Sequence, residues 1–529
     1  MLTGTSWPRR AVALATVAGA LAGCGSGIRG TRPARAPAPA TAMHTRAALR
    51  SAIDSMITAP QFRNAHWGVL IVHPTTGDTL YSHNAGKLFM PASNQKLLTA
   101  AVALAQLGPD FRFLTTFAVR PFGGGPPVRD GVLQGDLVVI GRGDPTVSDH
   151  MLGDAMAALR AAADSLAARG VRRVAGRLVR GGDAFPDANY GYGWAWDDFE
   201  YAYSAGVDEL IFNEGFSRVV VRAGARPGDR PVAQLAPAPY PAMRVVATTV
   251  AAPVTRGAGD LPPDSGRTPT TSLSVVTDPE YGPSVTGTIA VGDSATLTVA
   301  HRDVAAAYLA ALSVALGERG IALGGGTDAR VTAAVPVTGA APLDTLFSLA
   351  SPPLREVLPH LQKPSQNQIA EVLLKSLGLE RTGVGSADSG RRVIESQLVA
   401  WGADPEGFAV RDGSGLSRHD YVSPETVVRV LEAMRRSPDF AAYYDALPIA
   451  GVDGTIATRM RGTPAQGNVH AKTGYVDRAR SLSGYVHAAD GELLLFSLLC
   501  NNWTTSVRAV ERVQDEIAVR LAMLPVKQR

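Results

Sequence analysis

The stretch Pro91-Ala92-Ser93-Asn94-Gln95-Lys96-Leu97-Leu98-Thr99-Ala100 decides how the rest of the chain is read. Apolar residues recur at helical spacing from Ala92 to Leu107, and Gly108-Pro109 supplies a stop signal. Ser93 therefore opens a buried helix, with Lys96 one turn on. Residues three apart on a helix share a face, so the lysine amine can reach the serine hydroxyl. A serine is a weak nucleophile at neutral pH, but a lysine desolvated among leucines and alanines loses its charge readily and can take the hydroxyl proton. Alone, the spacing also suits an N-cap serine beside a lysine that reaches for solvent, and further motifs decide between the two.

The chain has 529 residues, enough for more than one domain at about 150 residues each, and a composition of 46% hydrophobic and 19% charged residues is that of a globular protein. The first 50 residues hold seven arginines and no acid, so the net charge of +4 becomes −3 for the remainder. A mildly acidic body argues against nucleic acid as a partner. There are two cysteines, Cys24 and Cys500. Cys500 lies in the apolar run Leu493 to Cys500 and reads as a buried thiol, and no metal-ligand spacing of the His-Glu-X-X-His or Cys-X-X-Cys kind is present.

Working outward, Trp67 to Val72 and Thr79 to Ser82 flank a turn at Pro74 to Asp78 and read as a hairpin. After Phe117 the pattern changes to short strand-like runs, including Asp136 to Ile140 and Ser217 to Arg222, with helices expected over Met151 to Arg169 and Asp303 to Arg319. Pro253 to Thr271 is a Pro/Gly/Thr-rich loop that cannot pack a core. Gly141-Arg142-Gly143-Asp144 and Gly324-Gly325-Gly326 lack the context of a phosphate loop and read as connections.

Helical patterns return from Leu343. Pro364 and the amphipathic run Ile369 to Leu377 place Ser365-Gln366-Asn367 where a loop enters a helix, a position that also suits an N-cap serine. A helix follows over Arg391 to Trp401. Next comes the Gly-rich turn Asp412-Gly413-Ser414-Gly415-Leu416-Ser417-Arg418. Lys472-Thr473-Gly474 stands ahead of two strands, Leu482 to His487 and Leu493 to Cys500, and the glycine permits close approach of another backbone. The helix Val507 to Met523 closes the chain, so both ends contribute to one α+β body, an antiparallel sheet sandwiched by helices.

Ser93-X-X-Lys96, Ser365-X-Asn367 and Lys472-Thr473-Gly474, in that order, resemble the motif triplet of the penicillin-recognising serine enzymes. The long gap between the first two motifs, with Asp412 to Ser417 and Ala450-Gly451-Val452-Asp453-Gly454-Thr455 beyond, resembles the class C low-molecular-mass penicillin-binding proteins. These are D-alanyl-D-alanine carboxypeptidases and endopeptidases of the penicillin-binding protein 4 type. The resemblance implies a transpeptidase-like fold in two parts, 46–118 and 336–529, around a strand-rich insert over 119–335 that forms two subdomains.

It also implies roles. Ser93 is the nucleophile, Lys96 its base, and Ser365 relays a proton to the departing amine. Asn367 holds the substrate amide, and Lys472 and Thr473 hold its carboxylate, with Gly474 beside them. The backbone N–H groups of Ser93 and Tyr475 form the oxyanion hole, although Tyr475 departs from the small hydroxyl residue usual there. Gly193-Trp194-Ala195-Trp196-Asp197-Asp198 resembles a family pattern whose final acid meets the free amine of diaminopimelate, with Tyr203 and Arg418 flanking the pocket. The same stretch also suits core tryptophans with Asp198 capping a turn. The implied partners are peptidoglycan stem peptides and beta-lactam antibiotics, with no cofactor and no metal.

Two readings compete with this one. A beta-lactamase is disfavoured by the long gap between Ser93 and Ser365 and by the lack of an identifiable glutamate for a deacylating water. A catalytically silent peptidoglycan-binding or beta-lactam-sensing module has no need of a nucleophile and a base.

The leader, 1–24, carries Arg9-Arg10, an apolar run Ala11 to Ala22 and Leu21-Ala22-Gly23-Cys24, which resembles a bacterial lipoprotein signal. The resemblance implies an exported protein of the periplasm or cell envelope, held to the membrane by lipid on Cys24. Residues 25–45 read as a flexible linker.

Overall fold

The computed structural model describes residues 45–252, 271–278, 282–332 and 343–527. The leader with Cys24, and residues 253–270 of the Pro/Gly/Thr-rich loop, lie outside them.

A five-stranded antiparallel sheet runs in the order Asp78–His83, His66–His73, Leu493–Asn501, Ala479–His487 and His470–Val476. The N-terminal hairpin thus supplies two strands, and the C-terminal meander supplies three. Successive strand residues face opposite sides. In Leu493–Asn501, Leu494, Phe496, Leu498 and Cys500 pack with Leu49, Ile53, Val510 and Ile517 of the terminal helices Arg46–Ile57 and Val507–Met523. Leu495 and Leu499 face the other way, into a core with Leu97, Leu98, Val427 and Leu431. The body is therefore helix, sheet and helix, and the free thiol of Cys500 is buried inside it.

The region proposed as an insert, 119–335, begins within the strand Leu114–Pro121. That strand pairs with Gly135–Ile140 on one side and with Asp344–Ala350 on the other, so chain entering and leaving the region meets in one sheet. The helices Ala157–Ala168 and Val304–Glu318 pack on this sheet through Leu159, Ala163, Tyr308 and Leu312. A further group of strands, including Phe216–Arg222, Ser272–Asp278, Gly282–Ala290 and Ser294–Ala300, has its own small core around Val219, Val285 and Ile289.

The helix expected over Met151 to Arg169 is two helices. Asp149–Leu152, capped by the Ser148 hydroxyl, ends at Gly153 in the left-handed conformation (φ 72°), and Ala157–Ala168 starts afresh. The helix expected over Arg391 to Trp401 begins a turn earlier, as Ala387–Ala400, because Ser386 caps it.

Candidate active site

Ala92–Asn94 form a short 3-10 turn that leads into the helix Gln95–Leu107. Of the ten residues from Pro91 to Ala100 only Ser93 is not fully buried, which leaves its hydroxyl at the surface of a packed element. Ala92 is left-handed, with φ 47°. Such backbone persists only when its surroundings over-determine it. Here Asn94 Nδ2 donates to the Lys472 carbonyl (2.8 Å) and Ser481 Oγ donates to the Pro91 carbonyl (2.7 Å), sewing the turn to the edge of the sheet. A Cβ on Gly474 would stand 2.5 Å from the Pro91 oxygen and 2.8 Å from the Ser93 nitrogen, so this position in the strand His470–Val476 requires glycine.

Lys96 is fully buried. Its Nζ lies 2.9 Å from Ser93 Oγ, 2.6 Å from Asn367 Oδ1 and 2.7 Å from the Ser414 carbonyl. Burial pulls its pKa from 10.5 to about 7, against the opposing pull of Asp412, Glu371 and Asp420. A neutral amine has two N–H groups and one lone pair. Asn367 and Ser414 accept the two hydrogens, and the lone pair is left for the Ser93 hydroxyl.

Beneath this amine lies a carboxyl cluster that the sequence reading did not identify. Asp412 accepts from the backbone N–H groups of Ser414, Gly415 and Ser417 and from Trp194 Nε1. Glu371 accepts from Gly413 and Ser414, and burial beside Asp412 raises its pKa to about 8. Asp420 is raised well above its ordinary value by the same two causes. The signal was present in sequence: Glu371 sits in the otherwise apolar run Ile369-Ala370-Glu371-Val372-Leu373-Leu374, where every residue is buried.

Ser365 precedes the helix Asn367–Thr382 and is left-handed, with φ 67°. It is not the helix cap; Gln366 fills that role by accepting from Ile369 N through its side chain. Lys472 Nζ donates to Ser365 Oγ (2.7 Å) and to the Thr473 carbonyl (3.0 Å). Lys472 is fully buried, and burial, reinforced by the charges of Lys96 and Arg480, drives its pKa well below the ordinary lysine value. Thr473 Oγ1 donates to Thr455 Oγ1 (2.7 Å), joining the third motif to the Gly454-Thr455 turn. Asn367 Nδ2 donates to the Tyr203 carbonyl (2.7 Å), so one amide touches both Lys96 and the proposed insert.

Above these groups opens a cleft of about 560 Å³ whose lining includes Ser93, Asp198, Tyr203, Ser365, Arg418 and Tyr475, with Asn367 below. Seven of the sequence-selected residues thus meet in one cavity, while Lys96, Lys472, Thr473 and Gly474 lie buried under its floor. Tyr203 OH donates to Asp198 Oδ1, and Arg418 Nη2 donates to the Asp477 carbonyl (2.9 Å). The Tyr475 ring is 53% exposed at the rim, 5.7 Å from the Arg480 guanidinium. The two tryptophans of the Gly193 to Asp198 stretch part company: Trp194 is buried on Asp412, and Trp196 is 83% exposed. Asp198 both closes a 3-10 turn and faces the cleft. Among the described residues no group of three His, Cys, Asp or Glu side chains is arranged to hold a metal ion, and no helix is long and apolar enough to cross a membrane.

Residues 49–524 match the model of the D-Ala-D-Ala carboxypeptidase 3 (S13) family. A D-alanyl-D-alanine carboxypeptidase of Actinomadura sp. (strain R39) is 36% identical over 497 residues, covering 90% of this chain and 84% of that protein. The D-alanyl-D-alanine carboxypeptidase DacB of Haemophilus influenzae is 28% identical, covering 80% and 82%. The crystal structure of penicillin binding protein 4 from H. influenzae superposes with a TM-score of 0.72 at 25% identity, over 88% of this chain and 99% of that one. A structure of the same protein complexed with a beta-lactam gives 0.67 at 25% identity, over 88% and 97%.

Proposed function

Since the chain belongs to the D-Ala-D-Ala carboxypeptidase 3 (S13) family and is a serine-type D-alanyl-D-alanine carboxypeptidase, we propose that it works through an acyl-enzyme on Ser93. In this reading Ser93 Oγ attacks the carbonyl carbon between the two D-alanines as its proton passes to the neutral Lys96 amine. The oxyanion that forms accepts hydrogen bonds from the backbone N–H groups of Ser93 and Tyr475, donors of a kind worth roughly a hundred- to thousandfold in rate. The C–N bond then breaks, the departing amine takes a proton through Ser365, and an ester on Ser93 remains. Water attacks the same carbon, the ester bond breaks, and the proton returns to Ser93 by way of Lys96.

The observation that carries the proposal is the buried Lys96 amine within 2.9 Å of Ser93 Oγ, with two other acceptors for its hydrogens. Lys472 fits the carboxylate role in a conditional way. Burial disfavours its charge, and an arriving carboxylate restores it by direct pairing. Asp198, Tyr203 and Arg418 at the cleft wall suit a side chain with a free ammonium and a carboxylate, the diaminopimelate end of a stem peptide. A cross-link presents a carboxylate on a D-centre beside its scissile bond, as terminal D-alanine does, so endopeptidase activity uses the same groups. Covalent capture by beta-lactams follows from the same nucleophile. The similar H. influenzae protein, crystallised with a beta-lactam, supports that reading.

We further propose export to the cell envelope with a lipid on Cys24. Purified enzyme incubated with pentapeptides and with cross-linked sacculi is the test: release of D-alanine and of uncross-linked stem peptides supports both activities. Release of D-alanine alone removes the endopeptidase reading.

A further inference from the structure

Ser365 stands in a left-handed backbone conformation, φ 67°, which a non-glycine residue keeps only where its neighbours hold it there. Its hydroxyl is aligned with Lys472 Nζ, and the next residue but one, Asn367, is aligned with Lys96 Nζ. Something must fix the two-residue step between them. Gln366 does this from both ends of its amide: Oε1 accepts from Ile369 N (3.2 Å), and Nε2 donates to Glu214 Oε2 (2.6 Å). Its backbone N–H donates to the Leu361 carbonyl (2.9 Å).

Glu214 is itself held in an uncommon conformation. Asn213 and Glu214 are consecutive left-handed residues, with φ 49° and 57°. Asn213 pins that turn by three bonds: its N–H donates to the Val147 carbonyl (2.7 Å), its Nδ2 donates to the Phe216 carbonyl (2.9 Å), and its Oδ1 accepts from Asp149 N (3.1 Å). The other oxygen of the buried Glu214 carboxylate accepts from His150 Nδ1 (2.8 Å), which fixes the hydrogen on that nitrogen, because a carboxylate only accepts. Two strained turns, one on each side, therefore meet through one carboxylate-to-amide hydrogen bond.

We propose that Glu214 is a positioning residue for Ser365 and Asn367, acting through Gln366. The proposal rests on the roles given above to Ser365 and Asn367, and it adds a brace from outside the three motifs. Neither Glu214 nor Gln366 touches the reacting atoms. Their effect is on the placement of a proton-relay hydroxyl and of the amide that orders Lys96, and displacements of about 1 Å at such groups cost up to roughly a hundredfold in rate.

Glu214→Ala and Gln366→Leu are each expected to lower kcat about tenfold or more on a D-Ala-D-Ala peptide, with KM within about threefold of wild type. The double variant is expected to be no slower than the slower single one, since both remove the same bond. Glu214→Gln, whose amide oxygen still accepts from Gln366, should recover kcat to within about threefold of wild type. Amide hydrogen exchange at Gln366 to Ile369 should quicken in the first two variants and not in Glu214→Gln. If Glu214→Ala does not fold, Gln366→Leu and Glu214→Gln carry the comparison. Wild-type kcat with unchanged exchange, additive losses in the double variant, or a Glu214→Gln as slow as Glu214→Ala each overturn the proposal. Ser365→Ala is measured beside them. If it keeps full kcat, the relay role of Ser365 falls, and hydrogen exchange alone then decides whether the brace exists.

Discussion

Lowering the pH should switch the enzyme off through Lys96. Burial brings this amine from its ordinary 10.5 to about 7, a preference for the neutral form of about 5 kcal/mol relative to water. The base must be neutral to take the Ser93 proton, so kcat/KM on a D-Ala-D-Ala peptide should climb with pH along a limb of unit slope centred near 7. At pH 5 about 1% of the amine is neutral, and the rate should be about a hundredfold below its plateau. An unshifted lysine would be neutral in only about 0.03% of molecules at pH 7, and the limb would still be rising at pH 10. Stability follows the same shift. The folded pKa lies below the unfolded one, so the unfolded chain binds more protons between about 7 and 10.5, and Lys96 makes stability rise with pH across that window. Lys96→Met should cut kcat/KM by roughly 10²- to 10⁴-fold and abolish the limb. A rate constant from pH 5.5 to 8, or a limb that survives in Lys96→Met, would refute the argument that this amine is the base.

Gly474→Ala places a methyl 2.8 Å from Ser93 N and 2.2 Å from Ser481 Oγ, so the strand must retreat from the nucleophile. Penicillin acylation should slow at least about a hundredfold, the order of losing an oxyanion donor, while circular dichroism stays native. Asp198→Asn should lower kcat/KM by about tenfold or more for peptides with a free side-chain amine and leave acetylated peptides nearly unchanged, as loss of a charge-assisted bond of roughly 1–3 kcal/mol requires. Equal losses on both peptides would assign Asp198 to its turn. Cys24→Ser should release the protein from membranes after a high-salt wash, since each buried methylene of a lipid contributes about 0.8 kcal/mol and the linker has no apolar run to replace it.

The chemistry of this site was legible where it is local. Ser93 and Lys96 are one helical turn apart, Lys472 to Gly474 are successive strand residues, and the apolar run Leu493 to Cys500 reads directly as a buried strand. What escaped is long-range. Ser414 meets Lys96 through a backbone carbonyl, which leaves no side-chain signature, and Asn94 reaches the third motif across 378 residues of sequence. The carboxyl cluster of Glu371, Asp412 and Asp420 draws on a helix and a separate loop. Only the charge at Glu371 inside an apolar run hinted at it. The split of Met151 to Arg169 turned on Gly153, whose left-handed φ outweighs an otherwise helical pattern. Many strands of the proposed insert are only two residues long, below the length at which alternation can be recognised.

The acyl-enzyme on Ser93 is the claim on which the rest depends, and intact-mass analysis after incubation with penicillin tests it most directly. The wild-type protein should gain one covalent adduct, and Ser93→Ala, which keeps a good helix former at that position, should fold and gain none. An adduct of the same mass on the folded Ser93→Ala protein would contradict the account.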